Sequence, residues 1–137
     1  MDWLVIGQLI LAVILGAIIG LEREIKKKQA GLQTYSLVTL ASCLFSVIIF
    51  SLAKVNILDP SSLIIGLAVG MGFIGAGAIF RGEDRIEGLT TAAGLWAAVA
   101  IGLAVGSGLY LLALFSTFLV ISIFLIFGLI EKKFLKK

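Results

Sequence analysis

Five apolar runs, none with an ionisable residue near its centre, constrain this chain more than anything else in it. They are Leu4–Leu21, Tyr35–Ala53, Leu63–Phe80, Thr91–Val105 and Leu109–Ile130. A hydrocarbon core about 30 Å thick takes on the order of 20 apolar residues per helix. Inside it every backbone N–H and C=O has to find its partner within the protein, which leaves helices and closed barrels. Barrel strands are about 10 residues long and alternate apolar with polar side chains, whereas these runs are apolar all round. Composition agrees: 61% hydrophobic and 14% charged, against roughly 45–50% and about 25% in soluble domains. A soluble globule and a disordered chain are both excluded. The expected fold is all-α, one domain over 1–137: a polytopic membrane bundle of five transmembrane helices with spans at about 4–21, 35–53, 63–80, 91–105 and 109–130.

The first run reads as a span and not as a secretory leader, because Asp2 precedes it and its basic residues follow it. With the N-terminus outside, ten of the eleven basic residues fall on one side. Arg23, Lys26, Lys27 and Lys28 occupy the first loop, Arg81 and Arg85 the third. Lys132, Lys133, Lys136 and Lys137 follow the last run, and Lys54 is alone in the second loop. The positive-inside rule then predicts an N-out, C-in protein of the inner (plasma) membrane. Trp3 and Tyr110 suit the outer interface, and Phe134 with Leu135 the inner one. The net charge of +3 sits at segment ends facing lipid headgroups, so nucleic acid is not an expected partner.

Little catalytic chemistry is available. The chain has no His and one Cys, Cys43, which removes imidazole bases, internal disulfides and zinc clusters. No catalytic constellation is present, and neither an enzyme nor an organic cofactor is expected. Polar groups within the spans are Gln8, Ser42, Ser46, Ser116, Thr117 and Ser122. Ion pathways are marked by intramembrane charge, so its absence argues against a pump or proton-coupled carrier.

Glycines carry the packing signal. Gly16 and Gly20 (with Ala12), Gly66 and Gly70, and Gly102 and Gly106 form small-residue stripes that let helix backbones approach closely in lipid. A tight bundle is expected, and a homo-oligomer, as a dimer, along such a stripe. The run Gly70, Gly72, Gly75, Gly77 has the spacing of a dinucleotide fingerprint, but it lacks the preceding strand and the later acid. Each glycine weakens a helix by about 1 kcal/mol relative to Ala. A glycine-broken third helix presenting backbone carbonyls to a solute is thus a second reading.

The loops hold the remaining chemistry. Glu22–Lys26 and Glu24–Lys28 are favourable i,i+4 pairs. The functional alternative joins Glu22 or Glu24 to Arg81 or Arg85 across the two hairpins, where Mg²⁺ would accept one or two carboxylates plus waters. The Lys run anchors topology and attracts anionic lipid. Shifting the first loop by 57 positions aligns Gly20 with Gly77, Gly31 with Gly88, Leu32 with Leu89 and Thr34 with Thr91, the pattern of a parallel repeat. Gly31 and Gly88 are expected at positive φ, with Thr34, and Thr90 or Thr91, capping the helices that follow.

Taken in order, Gly16-Ala17-Ile18-Ile19-Gly20-Leu21-Glu22-Arg23-Glu24, Ala30-Gly31-Leu32-Gln33-Thr34, the run from Gly70 to Gly77, and Gly88-Leu89-Thr90-Thr91-Ala92-Ala93-Gly94-Leu95-Trp96 resemble the transmembrane domain of the MgtC/SapB family over nearly the whole chain. The resemblance implies a bacterial inner-membrane protein tied to growth at low magnesium and, in pathogens, to survival inside host cells. It implies a regulator of other membrane machinery, the F-type ATP synthase included, more than a magnesium transporter. Gln33 and Tyr35 stand where many members have Arg and His, and Ser62 and Gly66 where an Arg and a Gln are common. Longer members carry a soluble C-terminal domain, and this chain is expected to be the short form. The leading expectation is a non-enzymatic regulator that binds another membrane protein; the second is a small oligomeric transporter or channel.

Overall fold

A computed structural model describes residues 2–53, 59, 61–82 and 85–135. Lys54, Lys136 and Lys137 of the orientation argument lie outside the described residues. The chain forms α1 (Asp2–Ile25), α2 (Leu32–Ala53), α3 (Ser61–Gly77), β1 (Phe80–Arg81), β2 (Ile86–Glu87), α4 (Leu89–Gly106) and α5 (Tyr110–Ser122). After α5 the backbone stays helical through a π turn (Ile123–Phe127), a short α segment (Gly128–Ile130) and a second π turn (Glu131–Leu135). The two short strands pair antiparallel, Phe80 opposite Glu87 and Arg81 opposite Ile86. An all-α membrane bundle is what the apolar runs predict.

The third segment departs from expectation twice. Its helix stops at Gly77, and Phe80 belongs to the hairpin. Seventeen residues at about 1.5 Å each give roughly 25 Å, short of a core of about 30 Å. The other four segments are long and apolar enough to cross. The helix is also continuous through Gly70, Gly72 and Gly75, so the glycine-broken reading is overturned. Away from water no competing partner exists for the backbone N–H groups, and the helical bond is kept despite the low propensity of glycine.

The packed centre is α2 held between α1 and α4. At Gly16 an added Cβ would lie 2.6 Å from the Tyr35 carbonyl oxygen, and at Gly20 2.7 Å from the Leu32 Cα. On the other flank, a Cβ at Gly102 would lie 2.9 Å from the Ser42 Cβ, and at Gly106 2.5 Å from the Cys43 carbonyl. Small polar residues of α2 fill what remains. Thr39 Oγ1 donates to the Tyr35 carbonyl (3.0 Å), Ser46 Oγ to Ser42 (2.8 Å), and Ser42 Oγ crosses to the Val99 carbonyl of α4 (2.6 Å). At the far end of α4, where helical carbonyls lose their partners, Gln8 Nε2 donates to Val105 (3.0 Å) and Gly106 (3.4 Å).

By contrast α3 is peripheral, with Met71 and Gly75 its buried residues and Phe73 86% exposed. Gly66, Gly70, Gly72 and Gly77 have nothing within 4 Å of an added Cβ. Asp59 ties down its start by accepting the Ser61 N–H at 3.1 Å and the Ser61 hydroxyl. These donors hold the exposed Asp59 carboxyl below its ordinary pKa. Their contribution is therefore present above the usual carboxylate range and lost as pH falls through the lowered value.

Substitution separates the two kinds of glycine. Gly16→Leu and Gly102→Leu should destabilise the bundle by about 1–3 kcal/mol or more through overpacking, while Gly66→Ala should cost nothing and can stabilise by up to about 1 kcal/mol. Thermal unfolding in mild detergent checks both, and an unshifted Gly16→Leu protein would contradict the α1–α2 contact.

Candidate functional site

Charged side chains gather at the end of the bundle where α1 finishes, α2 and α4 start, and α5 passes into its first π turn. The chain reverses after α1 through Lys27, whose φ is +52°. Gly31 is not at positive φ, contrary to expectation; the left-handed residue is Lys27. What Gly31 supplies is space. An added Cβ there would land on the Glu24 carboxylate, and its carbonyl lies 2.8 Å from a Cβ built at Gly20.

Glu24 has a clear local task. Its Oε2 accepts the Leu32 N–H at 3.0 Å, placing a carboxylate on the free amides that open α2, where the helix dipole also favours negative charge. Thr34, half-buried, does not cap α2. It lies inside the first turn, whereas capping requires a residue ahead of it. Thr90 and Thr91 fail to cap α4 for the same reason: α4 begins at Leu89, and its N-cap, Gly88, carries no side-chain hydrogen bond. Gly88 does take positive φ, +88°, and a Cβ there would strike the Ala78 carbonyl at the end of α3. The two returns are thus built differently, and the 57-residue repeat has no counterpart in their geometry.

Glu22, Arg23 and Lys26 form a second, deeper cluster. Glu22 Oε1 pairs with Lys26 Nζ at 2.5 Å and Oε2 with Arg23 Nη1 at 3.5 Å. The Arg23 side chain is 4% exposed, and its guanidinium lies 4.2 Å from the centroid of the Phe124 ring. Burial of a cation is costly unless it is compensated; here Glu22 and the ring face supply that. Lys26 Nζ also donates to the Phe124 carbonyl at 3.0 Å, within the π turn. Tyr35, fully buried, donates its hydroxyl to the Thr91 carbonyl at 3.4 Å. Its hydroxyl and the Phe124 ring both press on Gly94, where a Cβ would lie 2.6 Å from Phe124 Cζ. One network therefore joins α1, α2, α4 and the helix after α5. Beside it opens a cavity of about 370 Å³ whose walls include Arg23, Lys26, Lys28, Thr90, Phe124 and Glu131.

Arg81 and Arg85 are exposed on the hairpin, and Arg85 Nε pairs with Glu87 Oε1 at 3.3 Å. The expected junction of Glu22 or Glu24 with Arg81 or Arg85 is absent among the described residues, because both acids are engaged on their own side. The Glu24–Lys28 pair is likewise absent among the described ion pairs, the Glu24 carboxylate being taken up by Leu32. Magnesium at this end would draw on the Glu22 or Glu24 carboxylate, which already face Lys26 and the Leu32 amide, and no group of three or more metal-ligating side chains occurs among the described residues. The Glu22–Lys26 pair expected from its spacing is present, whereas two members of the network escape the sequence reading of this site: Tyr35 is legible from its place beside Thr34, but Phe124 sits unmarked in an apolar run.

The MgtC family model matches residues 9–133. Among curated proteins the chain is 41% identical over 139 residues to YhiD of Escherichia coli (strain K12), provisionally named a magnesium transporter, covering 93% of this chain and 64% of that protein. It is 39% identical to SrpB of Synechococcus elongatus, over 85% of this chain and 71% of the relative. MgtC of Brucella abortus is 36% identical, over 82% and 46% respectively. The chain thus spans between about half and two thirds of the length of most of the curated relatives it matches. No solved structure matches.

Removing the Glu24 carboxylate should fray the start of α2. Glu24→Ala is expected to cost about 1 kcal/mol, the range of a lost N-cap, with faster amide exchange at Leu32, whereas Thr34→Ala and Thr90→Ala should change neither. Equal effects from Thr34→Ala and Glu24→Ala would refute the assignment.

Proposed function

The chain belongs to the MgtC family, and on that premise we propose that it is a non-enzymatic regulatory module of the bacterial inner membrane that acts by receiving a transmembrane helix of another membrane protein. The observation carrying this reading is the contrast between its glycines. Those of α1 and α4 that face α2 are filled by backbone, while Gly66 and Gly70 of α3 face open space. They border a groove of about 440 Å³ between α3 and α2, lined by Leu37, Ala41 and Phe45 on one side and Gly66, Gly70 and Ile74 on the other. Lipid chains adapt to any apolar surface and gain nothing from missing side chains. A helix does gain, because its backbone approaches more closely. Arg23, Lys26, Lys28, Arg81 and Arg85 share one end of the bundle, which supports a cytoplasmic C-terminus and an external N-terminus. By family resemblance, the membrane part of an F-type ATP synthase is the first partner to test, and low magnesium the condition.

A transport reading draws on the printed name of YhiD. The unbroken α3 and the lack of an ionisable residue at the centre of any span weigh against it. Ion flux from pure protein in liposomes would restore it, and tight vesicles would remove it.

The partner-binding reading is tested in cells by placing a photo-crosslinking residue at Phe45 or Ile74 and illuminating at low and high magnesium. The expected product is an adduct with a foreign membrane protein, strongly reduced by Gly70→Leu, which fills the groove from a position where an added Cβ meets nothing within 4 Å. Adducts with lipid alone would overturn the proposal. Adducts with a second copy would replace it with self-association, as a dimer.

A further inference from the structure

We infer that the cavity beside Arg23 is a binding site for a phosphate group, of the kind borne by a membrane phospholipid or by free phosphate. The inference is independent of the partner-binding reading and begins with an unsatisfied donor. Arg23 is nearly fully buried and lines the cavity, yet its Nε has no hydrogen-bond partner among the described residues. Buried donors are almost always satisfied, and a guanidinium fork matches phosphate oxygens in geometry as well as charge. Lys26 offers three N–H donors; one goes to the Phe124 carbonyl, and the Glu22 carboxylate is its ion-pair partner, although Glu22 Oε1, like Arg23 Nε, has no hydrogen-bond partner among the described residues. Lys28 adds a third cation from the exposed rim.

A further contribution comes from α4. Its first turn reaches the cavity through Thr90, and its N-cap, Gly88, leaves the opening amides without a side-chain acceptor. Helix starts of this kind favour anions. Two carboxylates oppose the site: Glu131 on its wall and Glu22 behind Arg23. Counting both against Arg23, Lys26 and Lys28 leaves one positive charge in excess. Glu131 also provides an acceptor for a headgroup ammonium or hydroxyl, while its charge opposes the higher charge of free phosphate. Ile123 and Phe127 extend the walls as apolar surface, as a glycerol backbone and acyl chain would require.

The test uses the full chain. Purified protein is exchanged into nanodiscs of phosphatidylcholine with or without phosphatidylglycerol, and in parallel is titrated with inorganic phosphate in detergent at fixed ionic strength. Native mass spectrometry and thermal unfolding are the readouts. Retention of phosphatidylglycerol above its bulk fraction identifies the lipid as the source; a saturable shift with inorganic phosphate alone identifies free phosphate. Either supports the site. Arg23→Gln would strand Glu22 and compromise folding, so Lys28→Gln and Thr90→Glu, both at exposed positions, carry the test. Each is expected to weaken binding about tenfold, the scale of one charged hydrogen bond, and Glu131→Gln to tighten inorganic phosphate binding. Arg81→Gln, at the same end but outside the cavity, should leave affinity unchanged. Equal losses from Arg81→Gln and Lys28→Gln would reveal general surface attraction and overturn the site, as would the absence of any retention or shift.

Discussion

Helices immersed in lipid gain nothing by hiding apolar surface from water, so α2 can be held between α1 and α4 only by close contact of backbones and by hydrogen bonds that cross between them. Gly16 and Gly20 admit α2 on one flank, Gly102 and Gly106 on the other, and Ser42 binds across to Val99. The rest follows from that contact. Because α1 and α2 touch where Gly20 meets Gly31, the chain must reverse in a few residues, which forces Lys27 into the left-handed region. The same tight return brings the Glu24 carboxylate onto the Leu32 amide. Tyr35, one turn into α2, is then wholly enclosed, with its hydroxyl on α4.

Charge enters this structure only where the packing can compensate it. Arg23 is buried at the end of α1 and not at its centre, with Glu22 alongside and an aromatic face beneath. Placed mid-span, the same guanidinium would meet only apolar neighbours and weak hydroxyl dipoles, at a cost of several kcal/mol. The π turn at Ile123–Phe127 presents both the ring of Phe124 to Arg23 and its carbonyl to Lys26. That double contact ties the last helix to the first at this end, in addition to the direct packing of α5 on α1.

The sequence made the helices legible because an apolar run of sufficient length has one outcome in lipid. The filled glycines were legible too, since spacing of four places them on one face. Much of the candidate site was not. Glu24 caps a helix from eight residues upstream, outside the short window in which capping patterns are sought. Thr34, Thr90 and Thr91 have the right chemistry but lie two or three residues beyond the capping positions of their helices. Arg23 and Phe124 meet through tertiary packing alone, and no periodicity in either segment records it. The glycines of α3 misled in a different way. Their low helix propensity predicts a break, an expectation that holds in water and fails where the backbone has no competing partner.

The first turn of α4 is where the separate features converge. Ala92 lies 3.7 Å from a Cβ built at Gly75, the point at which α3 rests on the core. The Thr91 carbonyl receives the Tyr35 hydroxyl from α2, and Thr90 lines the cavity beside Arg23. Three consecutive residues thus touch the peripheral helix, the packed centre and the basic pocket. A helix docked against α3 and an anion held near Arg23 would each press on this turn. By linkage, whatever one does to the affinity of the other is returned in equal measure. Gly88 sets the direction of that turn through its positive φ and its contact with Ala78. A side chain there would disturb both sites at once without belonging to either.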